Sequence, residues 1–452
     1  MHCARRWGWV LGAGIIGVLA VSARAQPAPA VDPPNATPVS ASGQRIYDET
    51  RAKLLQVRTL LKEQDSQASV GSGFVMAAEG LAITNYHVVS QYALQPERYR
   101  LSYTMAEGRS GTLELVAIDA IHDLALVRLL PPVKGEPCAA LPTLSWRAPA
   151  LARGERIFSL GNPLDVGFAV VEGNYNGLVE RSYLPQIFFS GSLSGGMSGG
   201  PALDAQGRVV GVNVAARRDG EQVSFLVPAE YAKALLERGR GAAAISTPQH
   251  GEITRQLMAH QRGLVERFVA MPWRSANHAR YKVPVPQETF MRCWGSTSPS
   301  EERHLQFERS DCVMDSAVFV SGSLNTGTLS VRHEAYEGSK LGALRFARMY
   351  SDSFRNEGFR SGRAATAPQC KERFIERDGL ALRTVVCLAA LKRFEGLFNL
   401  SVLTTTIDHA TQGVQGRLDA RGIDFDGAIK LTEHYLQGFA LNARAVEPSK
   451  AP

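Results

Sequence analysis

Between about residues 45 and 240 the chain alternates short apolar runs with glycine, asparagine and aspartate. GSGFVM (71–76), LAITN (81–85), LELVAI (113–118), LALVRL (124–129), RIFSLG (156–161), VVGVNVA (209–215) and VSFLVP (223–228) are the clearest. Many short strands at this rhythm predict a mainly β unit, a barrel or a sandwich. The period then changes. PAEYAKALLERG (228–239) reads as a helix, with Pro228 at its start and Gly239 just past its end. GRGAAAISTPQ (239–249) is a linker of small residues. After it, Ile253, Leu257, Leu264, Val265, Phe268 and Val269 recur at helical spacing, which predicts a packing face against a neighbouring domain.

From about residue 275 strands and helices mix, as expected of a separate α+β domain running to about 445. VFVSGSLNTGTLSVRHEAY (318–336) reads as a hairpin with its turn near Asn325–Gly327. FARMYSDSF (346–354) and DFDGAIKLTEHYLQGF (424–439) read as helices, the second started by Asp424 or Asp426. In CKERFIERDGLALRTVVC (370–387) the pair Asp378–Gly379 sits between two alternating strands, the signature of a two-residue hairpin turn. If Arg377 faces Leu380, the same register puts Cys370 opposite Cys387 at a non-hydrogen-bonded position, a separation a disulfide can bridge. Cys370–Cys387 is therefore expected and, by elimination, Cys293–Cys312.

The N-terminus changes the compartment. Residues 1–25 have a basic start, an apolar run from about Trp7 to Val21, and Ala23 and Ala25 in an A-x-A pattern before Gln26. This is the pattern of a cleaved secretory signal, implying a periplasmic or secreted protein with no stable membrane anchor after cleavage. Residues 26–44, rich in Pro, Ala and Ser, read as a disordered spacer. Export permits cysteines to pair. Of the six, Cys3 falls in the leader, and Cys138 is left over from the two pairs.

Composition is that of a soluble globular protein, 44% hydrophobic and 21% charged. The net charge of +7 includes Arg5, Arg6 and Arg24 of the leader, which holds no acid. No basic block with interleaved aromatics points to nucleic acid. No HExxH, CxxC pair or acidic calcium loop points to a metal, and no cofactor is implied.

Three segments carry chemistry together. TNYHVV (84–89) places His87 where a strand ends and the chain turns. HDLALVRL (122–129) places Asp123 at the start of another strand, and SLSGGMSGGP (192–201) surrounds Ser198 with glycines. A serine hydroxyl needs an imidazole to take its proton, and the imidazole needs a carboxylate to orient it. The oxyanion that forms needs backbone N–H donors, here those of Gly196 and Ser198. Singly, each residue has an ordinary structural explanation, and His122 reads as a hydrogen-bonded turn residue. The ordered set His–Asp–Ser does not. GMSGG also fits the G-x-S-x-G elbow of α/β-hydrolases. That fold requires a helix after the serine, with acid and histidine downstream, whereas PALDAQGRVVGVN (201–213) reads as strand, turn, strand.

These motifs, together with GSGFV before the histidine, SLGNP (159–163) and VSFLVPAE (223–230), resemble the trypsin-like, chymotrypsin-fold serine peptidases. The likeness is nearest to the HtrA/Deg branch and covers about residues 45–240. The resemblance implies a double β-barrel, His87 as general base, Asp123 as its orienter and Ser198 as nucleophile, acting on protein or peptide substrates. By the family's layout Ser192 lies near the base of the substrate pocket, with Leu193, Ala216 and Val223 along its walls. No carboxylate there pairs with Lys or Arg, so small or medium aliphatic residues are expected. Met197, where trypsin has an aspartate that pairs with a newly cut N-terminus, argues against activation by such cleavage. No PDZ-like segment is legible after residue 240. The resulting expectation is an exported serine endopeptidase. The alternative is a peptidase-like binding or sensing protein whose C-terminal domain engages a partner.

Overall fold

The computed structural model describes residues 40–131, 140–216, 222–276, 278, 280–298, 305–355 and 362–442. The leader, most of the spacer and Cys138 lie outside the described residues. Helix α1 (Ala41–Thr50) begins inside the stretch read as spacer. Its N-cap is Ser40, whose hydroxyl accepts from the Gly43 N–H at 3.0 Å, and Ile46 anchors it in the core.

Six antiparallel strands then form a closed barrel: β1 (Leu54–Leu61), β2 (Gln67–Val75), β3 (Leu81–Thr84), β4 (Tyr99–Met105), β5 (Ser110–Asp119) and β6 (Leu124–Leu129). Their order round the ring is β1-β2-β3-β6-β5-β4. Helix α2 (Tyr86–Leu94) interrupts the meander immediately after β3. The second barrel contains β7 (Ser145–Trp146), β8 (Arg156–Gly161), β9 (Ala169–Leu178), β10 (Ile187–Phe189), β11 (Pro201–Leu203), β12 (Arg208–Ala216) and β13 (Ser224–Pro228). Its ring runs β11-β8-β9-β10-β13-β12 and closes through the β11–β12 pairing, with β7 added in parallel to β12. Closure leaves neither ring with a free edge. The predicted apolar runs supply the cores: Val57, Val75 and Val127 in the first barrel, Ile157 and Leu226 in the second, and Phe74, Ile83, Leu126, Phe158 and Val212 in a cluster shared by strands of both, all fully buried.

Helix α3 (Ala229–Gly239) follows β13 directly, after Pro228. The small-residue stretch beyond it is pinned rather than free, because the Ile245 N–H donates to Leu115 and the Tyr92 hydroxyl to Ile245. Helix α4 (His250–Ala270) serves two cores. Ile253 and Leu257 bury against the first barrel, whereas Leu264, Val265 and Phe268 bury in the C-terminal region.

That region is a seven-stranded antiparallel sheet. Its order is Met291–Thr297, Gln306–Met314, Leu329–Glu337, Gln412–Ile423, Phe398–Thr406, Leu380–Ala390 and Gln369–Arg377. Helix α5 (Ala343–Ser353) packs Phe346 and Tyr350 on Tyr336. Helix α6 (Phe425–Gln437) joins α4 over the larger core through Ala428, Leu431 and Tyr435. Asp424 caps α6 by accepting from the Gly427 N–H at 2.8 Å. Asp378 and Gly379 both have positive φ, as the hairpin turn requires, and Arg377 faces Leu380. Cys370–Cys387 and Cys293–Cys312 are bonded across adjacent strands, with Cα–Cα distances of 4.0 and 3.9 Å.

The hairpin expected to turn near Asn325–Gly327 turns instead at Gly322–Ser323, between Val318–Ser321 and Leu324–Thr326. Gly327, with φ of +70°, carries the chain out of that small hairpin into the large sheet, and its N–H donates to Arg421. This small hairpin does not belong to the large sheet. Val318 and Val320 join the core of the first barrel, as do Leu391, Phe394 and Leu397. Among the described residues no helix is long and apolar enough to cross a membrane.

Candidate active site

His87 sits in the first turn of α2, one residue past Tyr86 and two past the N-cap Asn85. Asp123 precedes β6 and has φ of +55°, a left-handed conformation that aspartate tolerates better than most residues. Four hydrogen bonds hold it there. Its main-chain carbonyl accepts from Asn85 Nδ2 at 2.7 Å and from the Tyr86 N–H at 3.1 Å. Its carboxylate accepts from the His87 backbone N–H at 2.8 Å and meets His87 Nδ1 at 2.6 Å. The carboxylate thus fixes both the helix entrance and the ring. With Nδ1 engaged, Nε2 is the nitrogen left to take a proton. Burial pulls the His87 pKa down, but the charge of Asp123 and its hydrogen bond outweigh that, leaving the imidazole above its ordinary value.

Ser198 lies in the turn before β11. Gly196 has φ of +91°, and a side chain there would stand 2.4 Å from the Asn162 carbonyl oxygen. Gly199 has φ of +86°, and a side chain there would meet the Ser72 carbonyl at 2.3 Å. Glycine is therefore required at both positions. Among the described residues the N–H groups of Gly196 and Ser198 donate to no other protein group. The Ser198 hydroxyl donates to the Val214 carbonyl at 2.9 Å, and no hydrogen bond joins it to His87.

Two residues to which the sequence reading gave no role set this turn. Ser72 is fully buried where the barrels meet. Its hydroxyl donates to the Gly196 carbonyl at 2.7 Å and accepts from the Asn162 N–H at 2.9 Å, and its own N–H donates to the Ser198 carbonyl at 2.7 Å. Asn213, also fully buried, donates to the Leu160 and Met197 carbonyls at 2.9 and 3.2 Å. A polar residue inside an otherwise apolar strand run was the available signal, since buried polar groups need partners. Met197 packs in the second barrel with Phe189 and Leu193.

The expected pocket residues gather about Ser224. Ser192 is exposed, and Leu193 is buried in the interior of the second barrel, with its N–H donating to the Ser224 hydroxyl at 3.1 Å. Ala216 ends β12 opposite Ser224, and Val223 precedes β13, half-buried. None of these four lines the cavity of about 430 Å³ that adjoins Asp123 and Val214. His122 pairs with Asp119 at 2.9 Å and stacks on Tyr231 with centroids 3.8 Å apart, a self-contained arrangement beside the candidate site. Among the described residues no group of three or more His, Cys, Asp or Glu gathers as a metal site would require.

The trypsin-like peptidase domain family matches residues 71–212, a span holding His87, Asp123 and Ser198. The mitochondrial serine protease HTRA2 of Bos taurus is 31% identical over 183 residues, covering 38% of this chain and 36% of that protein. Serine protease HTRA3 of Homo sapiens is 33% identical over 172 residues, covering 36% of each. The chain spans less than half the length of these relatives. A solved structure of the serine endoprotease from Yersinia pestis aligns with a TM-score of 0.38 and 21% identity, over 44% of this chain and 67% of that one. The chain therefore carries a trypsin-like peptidase domain with HtrA/Deg homologues.

Proposed function

We propose that the protein is an exported serine endopeptidase that cleaves proteins or peptides through an acyl-enzyme. The observation that carries this is the clasp of Asp123 on both the ring and the backbone of His87, across from a serine on a glycine-enforced turn with two undonated N–H groups. In the reaction, Ser198 Oγ leaves the Val214 carbonyl and attacks the substrate carbonyl carbon while its proton passes to His87 Nε2. The carbonyl oxygen becomes an oxyanion facing the N–H groups of Gly196 and Ser198. Collapse breaks the C–N bond, and the amine leaves with the proton held by His87. A water then repeats the sequence, giving its proton to His87 and releasing the acid and free Ser198. Asp123 holds the ring through Nδ1 and stabilises the imidazolium that forms.

One observation favours the second reading, a peptidase-like binding or sensing protein: the Ser198 hydroxyl rests on Val214 rather than on His87. Labelling of the mature protein by a fluorophosphonate, read by intact mass, separates the two. Such a probe reacts with a serine activated by its base and oxyanion donors. Wild type should gain one adduct and Ser198→Ala none. A folded wild-type protein that takes up no probe would sink the peptidase reading.

A further inference from the structure

The hairpin of residues 318–326 comes from the C-terminal half of the chain yet packs on the helix that bears His87. Val318 and Val320 are buried in the core of the first barrel, and the Tyr86 hydroxyl donates to the Val320 carbonyl at 2.9 Å. The intervening side chain is partly buried against the same core. That side chain, Phe319, meets the His87 ring edge-on, with centroids 6.0 Å apart and planes at 75°, and meets the Tyr86 ring at 6.3 Å.

Phe319 also lines the cavity of about 430 Å³ next to Asp123 and Val214. Asp123 orients His87, and the Val214 carbonyl receives the Ser198 hydroxyl, so this cavity adjoins the groups that hold the two proposed reactants, although neither His87 nor Ser198 lines it. Its first-half walls include Ile121, Leu184, Phe225 and Val227. The C-terminal half adds Phe319 and the ion pair Arg292–Asp315, closed at 2.6 Å. The volume lies within the range of about 300–1,000 Å³ typical of ligand sites; the apolar side chains share the lining with His122, Asp123, Arg181, Ser182, Gln186 and Ser316, so Phe319, Phe225 and Leu184 are the groups that would meet an apolar occupant.

We propose that the hairpin 318–326 completes the substrate cleft, and that Phe319 determines specificity by walling a subsite for a large apolar side chain flanking the scissile bond. The inference rests on the peptidase reading above. It assigns the chemistry to the first half of the chain and part of the selectivity to the second. Because Val318 and Val320 are themselves fully or almost fully buried in that core, truncating Phe319 changes the cleft while leaving these two anchors in place.

The test is kcat/KM on a fluorogenic peptide library in which each flanking position carries Phe, Leu, Ala or Asp in turn, using full-length wild type, Phe319→Ala and Phe319→Leu. Wild type should favour Phe or Leu over Ala at one position by about 10-fold or more. In Phe319→Ala that ratio should collapse toward unity, and in Phe319→Leu it should shift between Phe and Leu peptides. A purely structural role for Phe319 would lower all peptides alike and leave the ratio unchanged, which overturns the proposal. An unaltered preference in Phe319→Leu overturns it equally should Phe319→Ala fail to fold. Wild-type fluorophosphonate labelling keeps the two failures apart. Without labelling the peptidase reading falls and the subsite with it, whereas labelling with an unchanged ratio removes the subsite alone.

Discussion

Replacing Tyr86 with phenylalanine deletes a single oxygen and tests whether the two halves of the chain share one core. Tyr86 and Val320 are both 0% exposed, and the bond between them is 2.9 Å long. Val320 is the bulged residue of its hairpin and has no residue opposite it in the ladder. Burial, reinforced by the charge of Asp123, pushes the Tyr86 pKa up, so the phenol remains a donor throughout the working pH range. Phenylalanine keeps the ring and its edge contact with Phe319. A net hydrogen bond contributes about 0.5–1.5 kcal/mol, and stranding a buried acceptor costs about 1–3 kcal/mol. Tyr86→Phe should therefore lose about 1–3 kcal/mol. Equilibrium urea unfolding of the full chain, followed by tryptophan fluorescence and circular dichroism, measures this directly. A loss below about 0.5 kcal/mol, the size of an ordinary surface substitution, would refute the reasoning.

Two further outcomes are expected. Asp123→Asn should cut turnover by about 10⁴-fold and move the acid limb of the kcat/KM profile to lower pH, because the charge holding the His87 pKa above 6.5 is gone. The limb rises with pH because only neutral His87 accepts a proton. The stabilisation from the charged pair has the opposite sense, present in full below pH 6.5 and fading as pH rises through the raised value. An acid limb that stays in place would remove His87 from the role of base. Changing Cys370 and Cys387 together to serine opens a link of sequence separation 17, for which loop entropy gives about 3 kcal/mol. A urea midpoint equal to that of the oxidised wild type would show that the link contributes nothing.

The parts of the fold legible in the sequence are those with local causes. Asp378–Gly379 sets its own turn and hence the register that brings Cys370 to Cys387. The apolar stripe of α4 was readable as a packing face, though not its division between two cores. Helix α1 was hidden by its Pro-, Ala- and Ser-rich surroundings, since composition averaged over 26–44 outweighed the single cap at Ser40. In the candidate site, His87, Asp123 and Ser198 were visible because their chemistry demands those residue types. The resting partner of Ser198 was not, because it is the main-chain oxygen of Val214 and any residue could supply it. The same holds for the hairpin turn at Gly322–Ser323. Asn325–Gly327 carried the stronger local turn signal, but long-range packing of Val318 and Val320 decided the placement.

That packing has a consequence for the order in which the molecule is made. The acceptor for Tyr86 lies 234 positions further along the chain, and Leu391, Phe394 and Leu397 close the same interior later still. A nascent chain that has emerged only through the second barrel holds every residue of the His–Asp–Ser set but lacks the side chains that finish the core beneath His87. Contacts this distant in sequence form late, because the intervening chain must be gathered first. The helix bearing His87 thus reaches its packed state only after residue 397 has been delivered, well after the last of the three candidate catalytic residues has emerged.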